Sequence, residues 1–233
     1  MKSSNCCGLD FGTSNSTIGL GLSSGAALCP VEGTNVTIPS AIFFDFEDNK
    51  TLFGRAGIAS YMEEIDGRLM RSLKSILGTS TMQEKTRVGK GTKPFTQILG
   101  KFVRHLKQCA ETHLGSDINS VVLGRPVHFI DYDEKADKIA EETLAQIARD
   151  QGFRHVDFQF EPIAAALDYE QSVEQEELAL IADIGGGTSD FTIVRLSPDR
   201  ALKLDRADDI LANEGVHIGG TDFDRRLSLK QIM

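Results

Sequence analysis

ADIGGGTSDFTI, spanning Ala182 to Ile193, nearly repeats LDFGTSNSTI, spanning Leu9 to Ile18. In each copy an Asp between apolar residues leads into Gly, then Thr-Ser, then Thr-Ile, and the later copy carries two further glycines. Apolar or β-branched runs on either side of a Gly/Thr/Ser cluster read as a β-hairpin with a polar turn. Such a turn gathers backbone N–H groups and hydroxyls at one point, a small concavity suited to phosphate. Asp10 and Asp183, at strand ends beside the turns, would repel phosphate unless a divalent cation stood between them. Magnesium resolves the repulsion, because it keeps several waters and touches few protein carboxylates. Turn formation alone does not require an Asp at the same place twice. The repetition therefore points to two phosphate hairpins, one from each half of a duplicated fold, gripping a polyphosphate from both sides.

Periodicity along the rest of the chain supports a duplication. Cys6–Phe11 and Thr17–Leu22 read as the first hairpin, with Ala26–Pro30 as a third strand and Thr37–Phe46 as a further one broken by Pro39. A helix is expected over Arg55–Glu64, and the Lys-, Thr- and Gly-rich segment from there to Gly100 reads as irregular. Ile98, Leu99, Phe102, Val103, Leu106 and Ala110 recur at helical spacing within Phe95–Leu114, and a second helical stripe runs through Asp133–Gln151. Ser120–Leu123 and Val156–Phe160 read as strands, and Glu161-Pro162 opens a helix over Ile163–Tyr169. Glu170–Glu177 reads as an exposed acidic connection, followed by strands at Leu178–Asp183, Phe191–Leu196 and Ala201–Leu204 and a helix over Asp222–Leu229. Strands then helices, twice over, is a duplicated α/β arrangement.

Bulk properties exclude several classes. The 233 residues carry a formal charge of −9, which argues against a general binder of nucleic acid or anionic membrane. No run of apolar residues is long enough to span a bilayer, and no apolar signal region precedes Asp10, so cytoplasm is the expected location. Cys6, Cys7, Cys29 and Cys109 show no zinc spacing and read as small buried hydrophobes in a reducing compartment. His105, His113, His128, His155 and His217 show no ligand spacing either.

Other motifs fail on context. No GxxxxGK[ST] is present, since Gly89-Lys90-Gly91-Thr92 lacks the first glycine at the right distance, and Gly19-Leu20-Gly21 lacks the third glycine of a dinucleotide fingerprint. Gly21-Leu22-Ser23-Ser24-Gly25 matches a nucleophile elbow with Ser23 as nucleophile, but an elbow needs a strand-to-helix turn and no helical pattern follows.

With these residues in place a family resemblance can be stated. CGLDFGTSNST resembles the first phosphate motif of the DnaK-type heat-shock chaperones, ADIGGGTSDFTIV the second, FEPIAAALDYE the connecting helix, and IGGTDFDRRL continues the match. VVLGRPVHF and LKSILG look closest to the YegD-like branch of that family. The resemblance implies the actin-like ATPase fold, an α/β architecture of two RNase-H-like lobes, residues 1–160 and 161–233, with MgATP between them. It implies that Gly12, Thr13 and Ser14 hold one side of the phosphates, and that Gly185, Gly186, Gly187 and Thr188 hold the other, with Gly219 and Gly220 completing the nucleotide site. It further implies Asp10, Asp183 and Asp190 as the carboxylates that order water around Mg2+. Lys74, Glu161, Asp183 and Thr188 are then the catalytic residues, Lys74 reaching the γ-phosphate and attacking water and Glu161 positioning water or metal. Phosphoryl transfer needs positioning and charge neutralisation more than covalent help, and these residue types supply both.

The expected partners are nucleotide, ATP or ADP, together with client or co-chaperone proteins. The family pattern continues beyond Met233 with an adenosine-binding Gly-rich motif, so the second lobe is expected to be incomplete here, with apolar surface exposed near Leu227 and Ile232, and ATP hydrolysis is expected of a complete parent. After Pro126, where the family carries an Arg that relays to a peptide-binding domain, the chain has Asp131-Tyr132-Asp133-Glu134. Two other readings use the same residues: a small-molecule kinase on the same fold, and a non-catalytic module that binds a partner with nucleotide as a conformational ligand.

Overall fold

Along Cys6–Phe11 (β1) the side chains of Cys7, Leu9 and Phe11 point into the core while Asp10 is exposed, the period-two alternation that makes a strand half-buried. A computed structural model describes residues 6–22, 25–130, 132–203, 205–216 and 218–231. Ser23 of the elbow pattern, Asp131, Leu204, His217 and Ile232 lie outside the described residues. Contacts divide the chain into two units, Met1–Leu123 with His128–Phe158, and Gly124–Val127 with Gln159–Met233.

In the first unit β1 turns back into Asn15–Leu22 (β2), which pairs on with Gly25–Leu28 (β3) and Thr37–Pro39 (β4). Pro39 ends that strand, and Ala41–Asp45 (β5) begins a separate small sheet with Lys50–Phe53 (β6) on one side. Gly54–Met62 (α1) follows, and Gly67–Arg71 (β7) closes the small sheet on the other side of β5. The segment expected to be irregular is ordered: after β7 come two 3-10 turns, Leu73–Ile76 and Ser80–Gln83, and a hairpin of Lys85–Val88 (β8) and Gly91–Pro94 (β9). Leu73, Leu77 and Met82 anchor the turns in the core, whereas β8 and β9 carry no buried stripe and are held by pairing with each other.

Phe95–Leu114 (α2) then buries all six residues of the expected stripe, and Gly115 takes up a left-handed φ of 75° as its cap. Ser120–Arg125 (β10) runs parallel to β1 from Cys6↔Ser120 to Leu9↔Leu123. Glu134–Asp150 (α3) is capped by the Asp133 carboxylate, which accepts from the Ala136 N–H at 2.9 Å. His155–Phe160 (β11) completes the large sheet, in the order β11-β10-β1-β2-β3 with β4 also on β2. Its core joins Leu9, Phe11 and Ile18 of the hairpin to Phe102 and Leu106 of α2 and Leu144 of α3.

The second unit repeats the theme. Glu161–Glu170 (α4) places Pro162 in the first turn, where its missing N–H costs nothing. Glu177–Ile184 (β12), Ser189–Leu196 (β13) and Ile210–Val216 (β14) form an antiparallel sheet in that order. The third strand is therefore Ile210–Val216 and not the expected Ala201–Leu204. Ala201 and Lys203 instead donate to the carbonyls of Ser197 and Arg200 in tight turns, and Leu202 is exposed. Ile163 and Ala166 of α4 pack with Val194 and Leu196, and with the Ala179 and Ile181 side of β12. The other side of this sheet is bare: Leu178, Leu180, Ile184, Phe191 and Val216 are all exposed. Gly220–Gln231 (α5) buries no side chain, and Leu227 is exposed as expected. Glu170 corrects the reading of an exposed acidic connection, since it belongs to α4 and is buried.

No helix among the described residues is long and apolar enough to cross a membrane. The four cysteines are all free, with Cys7 and Cys29 buried and Cys6 and Cys109 half-buried. Burial pushes the Cys7 thiol up to about 12, and burial raises the other three as well.

Candidate phosphate hairpins

The first turn is fixed from beneath. Strand pairing ends at Phe11↔Ser16, leaving Gly12, Thr13, Ser14 and Asn15 as the loop. A Cβ at Gly12 would collide with the Asn15 carbonyl oxygen, so only glycine closes this turn. The buried Ser40 hydroxyl donates to the Gly12 carbonyl at 2.7 Å. That uses its only proton, so the buried Ser16 hydroxyl, 2.8 Å away, donates to Ser40 Oγ. The Ser40 N–H also donates to the Ser14 carbonyl at 2.8 Å. Thr13 and Ser14 are left at the half-buried tip, and Asp10 projects from the exposed face of β1.

The second turn is fixed from the side. Pairing ends at Ile184↔Ser189, so Gly185, Gly186, Gly187 and Thr188 form the loop, closed by a 2.9 Å bond from the Gly185 N–H to the Thr188 carbonyl. The segment entering α5 braces it. Gly220 N–H donates to the Gly185 carbonyl at 3.0 Å, and Thr221 donates to the Gly186 carbonyl from both its N–H, at 2.9 Å, and its hydroxyl, at 2.7 Å. A Cβ on Gly219 would lie 2.6 Å from the Gly186 carbonyl carbon and 2.6 Å from the Gly187 nitrogen. Neither Gly185 nor Gly219 has a left-handed φ. Close approach of backbone to backbone, not left-handed geometry, accounts for glycine at Gly219.

Counting from the paired strands changes the alignment of the two copies. Both loops hold four residues, so Gly186 and Gly187 stand where Thr13 and Ser14 stand and are not an extension. Ser16 and Ser189, each six residues after its Asp, become equivalent, and both are buried with their hydroxyls bonded, Ser189 to the Ile218 carbonyl at 2.7 Å. A count from the Asp would reveal this pair in the sequence, whereas matching Thr-Ser to Thr-Ser hides it. Ser40, Gly215 and Thr221 carry no such local signal, because each reaches its hairpin through tertiary contact.

The same register sets Asp10 opposite Thr17 but Asp183 opposite Asp190. Two carboxylates directly across a strand pair repel, and a cation shared between them would remove the penalty. The Asp190 carboxylate leans over Gly215 on β14, where any Cβ would collide with its Oδ1. Among the described residues no three His, Cys, Asp or Glu side chains converge into a metal cage. Two oxygen-only side chains nonetheless suit magnesium, which keeps most of its waters.

Lys74 and Glu161 lie on separate units. Lys74 sits half-buried in the 3-10 turn Leu73–Ile76, which Leu73 and Leu77 anchor in the core. Ser72 precedes it at φ 57°, and the Ser72 carbonyl receives the Ser75 N–H and hydroxyl at 3.1 and 2.7 Å. Glu161 is the first residue of α4, where a carboxylate faces the positive end of the helix dipole.

The chain matches the family described as Hsp70 protein over residues 6–230. It belongs to the Hsp70 family. Its mixed α/β structure is accordingly the actin-like ATPase fold of that family. The chain is 29% identical over 241 aligned residues to the protein named Chaperone protein HscA homolog from Aliivibrio salmonicida (strain LFI1238), covering 95% of this chain and 36% of that relative. The chain thus spans about a third of the length of this Hsp70-family chaperone. The match is to the Hsp70 family as a whole.

Proposed function

We propose that this Hsp70-family chain binds ATP and ADP with Mg2+, and that it serves ATP hydrolysis in a chaperone cycle. The observation that carries the reading is the equivalence of the two hairpins: Asp, then Gly at the first loop position, then a buried hydroxyl-bonded Ser, in the same register twice. Thr13 and Ser14 offer hydroxyls to phosphate oxygens in the first hairpin. Gly186 and Gly187, without side chains, let the backbone of the second come close. Gly219 and Gly220 hold that second loop in place.

Asp183 and Asp190, with Asp10, would hold Mg2+ through its waters, and the ion would supply neutralisation of phosphate charge. Lys74 adds a point charge toward the transferred phosphoryl group, and Glu161 orients water. Client or co-chaperone proteins are the expected partners of such a unit.

Calorimetry of ATP and ADP, with and without magnesium, tests the binding directly. Magnesium-dependent binding that Asp183→Ala abolishes supports the reading; binding indifferent to both magnesium and Asp183→Ala overturns it. Turnover that survives Lys74→Ala unchanged would remove the catalytic assignment. Release of ADP stimulated by a sugar or acid acceptor would make the protein a kinase instead.

A further inference from the structure

Away from both hairpins, a groove of about 1070 Å³ opens in the first unit between the small sheet β5-β6-β7 and the β8-β9 hairpin. Its tip is Gly89-Lys90-Gly91-Thr92, the stretch that resembles a phosphate loop without being one. Six cationic side chains line it, Lys50, Arg68, Arg87, Lys90, Lys93 and Lys101, against the two carboxylates Asp45 and Asp66. That balance is the reverse of the whole chain, in which 34 acidic residues outnumber 25 Lys and Arg.

The internal pairing leaves most of this charge available. Asp45 is buried; its Oδ1 accepts the Glu47 and Asp48 N–H groups at 3.0 and 2.9 Å, and Lys50 Nζ stands 3.3 Å from its Oδ2. Lys50 is therefore consumed by Asp45, and by Asp48 at 2.6 Å. Arg68 donates from Nη1 to the Arg87 carbonyl, tying the hairpin to the sheet, and Arg87 donates from Nε to the Gly89 carbonyl at 3.2 Å. Each guanidinium has five N–H donors, so both retain several. Lys90, Lys93 and Lys101 form no ion pair among the described residues.

Phe46 and Val88 give the groove an apolar lining, with Phe46 partly exposed and its ring edge against Gly89. The volume lies at the upper limit of small-molecule sites. β7 and β8 are edge strands of their sheets and lie along it, so they offer backbone groups to an extended guest. A nucleic-acid duplex would bring its dense charge against a chain of net charge −9. We infer that this groove binds an extended acidic peptide segment of a protein partner, with carboxylates on Lys90, Lys93 and Lys101 and an apolar side chain on Phe46. Charge complementarity selects the guest, and the inference is independent of the nucleotide reading.

Fluorescence anisotropy with a labelled Asp/Glu-rich peptide carrying a central Phe tests it on the whole chain, alongside the Asn/Gln counterpart and inorganic tripolyphosphate. The acidic peptide is expected to bind with an affinity that falls as salt rises, and the amide counterpart to bind far more weakly. Lys90→Glu with Lys93→Glu and Lys101→Glu should weaken binding about tenfold or more, while the control Lys135→Glu with Lys138→Glu leaves it unchanged. Should the reversal variant fail to fold, Gln at the same three positions is read in its place. Asp183→Ala should not alter peptide binding, which separates this site from the nucleotide site. Equal binding by wild type and the triple variant would overturn the inference. So would tripolyphosphate that displaces the peptide through the same three lysines at lower concentration, since that marks a small-anion site.

Discussion

Arg206 meets Glu170 with both terminal guanidinium nitrogens, each 2.9 Å from a different carboxylate oxygen, and both side chains are 1% exposed. This bidentate pair joins the end of α4 to the loop before β14. Arg206 Nε reaches Asp209, Arg200 reaches the other Asp209 oxygen, and the Ser197 N–H donates to Glu170 at 3.2 Å. Burial opposes the charge on Arg206, but its two carboxylates hold its pKa above the ordinary value. Burial also opposes the charge on Asp209, yet the two guanidiniums hold its carboxyl below the usual range.

The two partners are not equally dependent on each other, since Arg206 also pairs with Asp209. Arg206→Met should destabilise the second unit by about 3 kcal/mol, read as a loss of denaturation midpoint, because Glu170 stays buried without its ion-pair partner; Glu170→Gln should cost less, because Arg206 keeps Asp209. Replacing Glu170, Arg206 and Asp209 together with apolar residues should recover much of that loss. Asp209 also fixes a pH dependence. Its folded pKa is depressed, so its contribution is complete above the unfolded value near 4 and is lost as pH falls through the lower folded value. A variant with Asp209→Asn should lack that acid limb.

Gly219 and Gly220 give a paired test of the second loop. Alanine at Gly219 puts a Cβ against two backbone atoms of Gly186 and Gly187, neither of which can move without shifting the loop. Alanine at Gly220 meets nothing closer than 3.8 Å and begins a helix, where alanine is preferred. Gly219→Ala should weaken nucleotide binding about tenfold or more in calorimetry. Gly220→Ala should leave it unchanged with an equal or slightly higher melting temperature. Equal effects of the two would show that backbone proximity at Gly219 is irrelevant to the loop.

Ser40 is the corresponding anchor of the first loop. Ser40→Ala leaves the half-buried Gly12 carbonyl without its donor and the buried Ser16 hydroxyl without its acceptor. The cost should be about 1–3 kcal/mol. Ser40→Thr keeps the hydroxyl, so a stability near wild type for Thr with a loss for Ala would separate the hydrogen bonds from packing.

What the sequence discloses follows from the range of the interaction responsible. The hairpins and α2 are legible because their signals are local: alternation through Cys7, Leu9 and Phe11, and a helical stripe from Ile98 to Ala110. β8 and β9 are not, since Lys85–Val88 and Gly91–Pro94 bury no side chain fully and exist by pairing with each other. Ile210–Val216 becomes a strand because β13 offers an edge, and its sequence ILANEGV has little apolar alternation of its own. In the candidate site the residues that present groups to solvent, Asp10, Thr13 and Gly186, could be read from the repeat. Those that hold the loops still, Ser40 and Thr221, come from distant segments and needed the fold.

His105 supplies a pH signature for the first unit. Its ring stacks on Phe53 at 4.3 Å between centroids, nearly parallel, and burial holds its pKa below the ordinary value while Glu32 pulls weakly the other way. The unfolded chain, with its histidine near 6.5, therefore binds a proton that the folded chain refuses over the interval below 6.5. Stability rises with pH across that interval, so it should fall as the solution is acidified through about 6.5 and level off below the folded pKa. His105→Phe retains a flat ring on Phe53 and removes the titration. The difference in denaturant midpoint between wild type and this variant, followed from neutral to mildly acid pH, isolates the single group from the other histidines. A difference that stays constant with pH would show that His105 titrates alike in both states, and would remove burial as the cause.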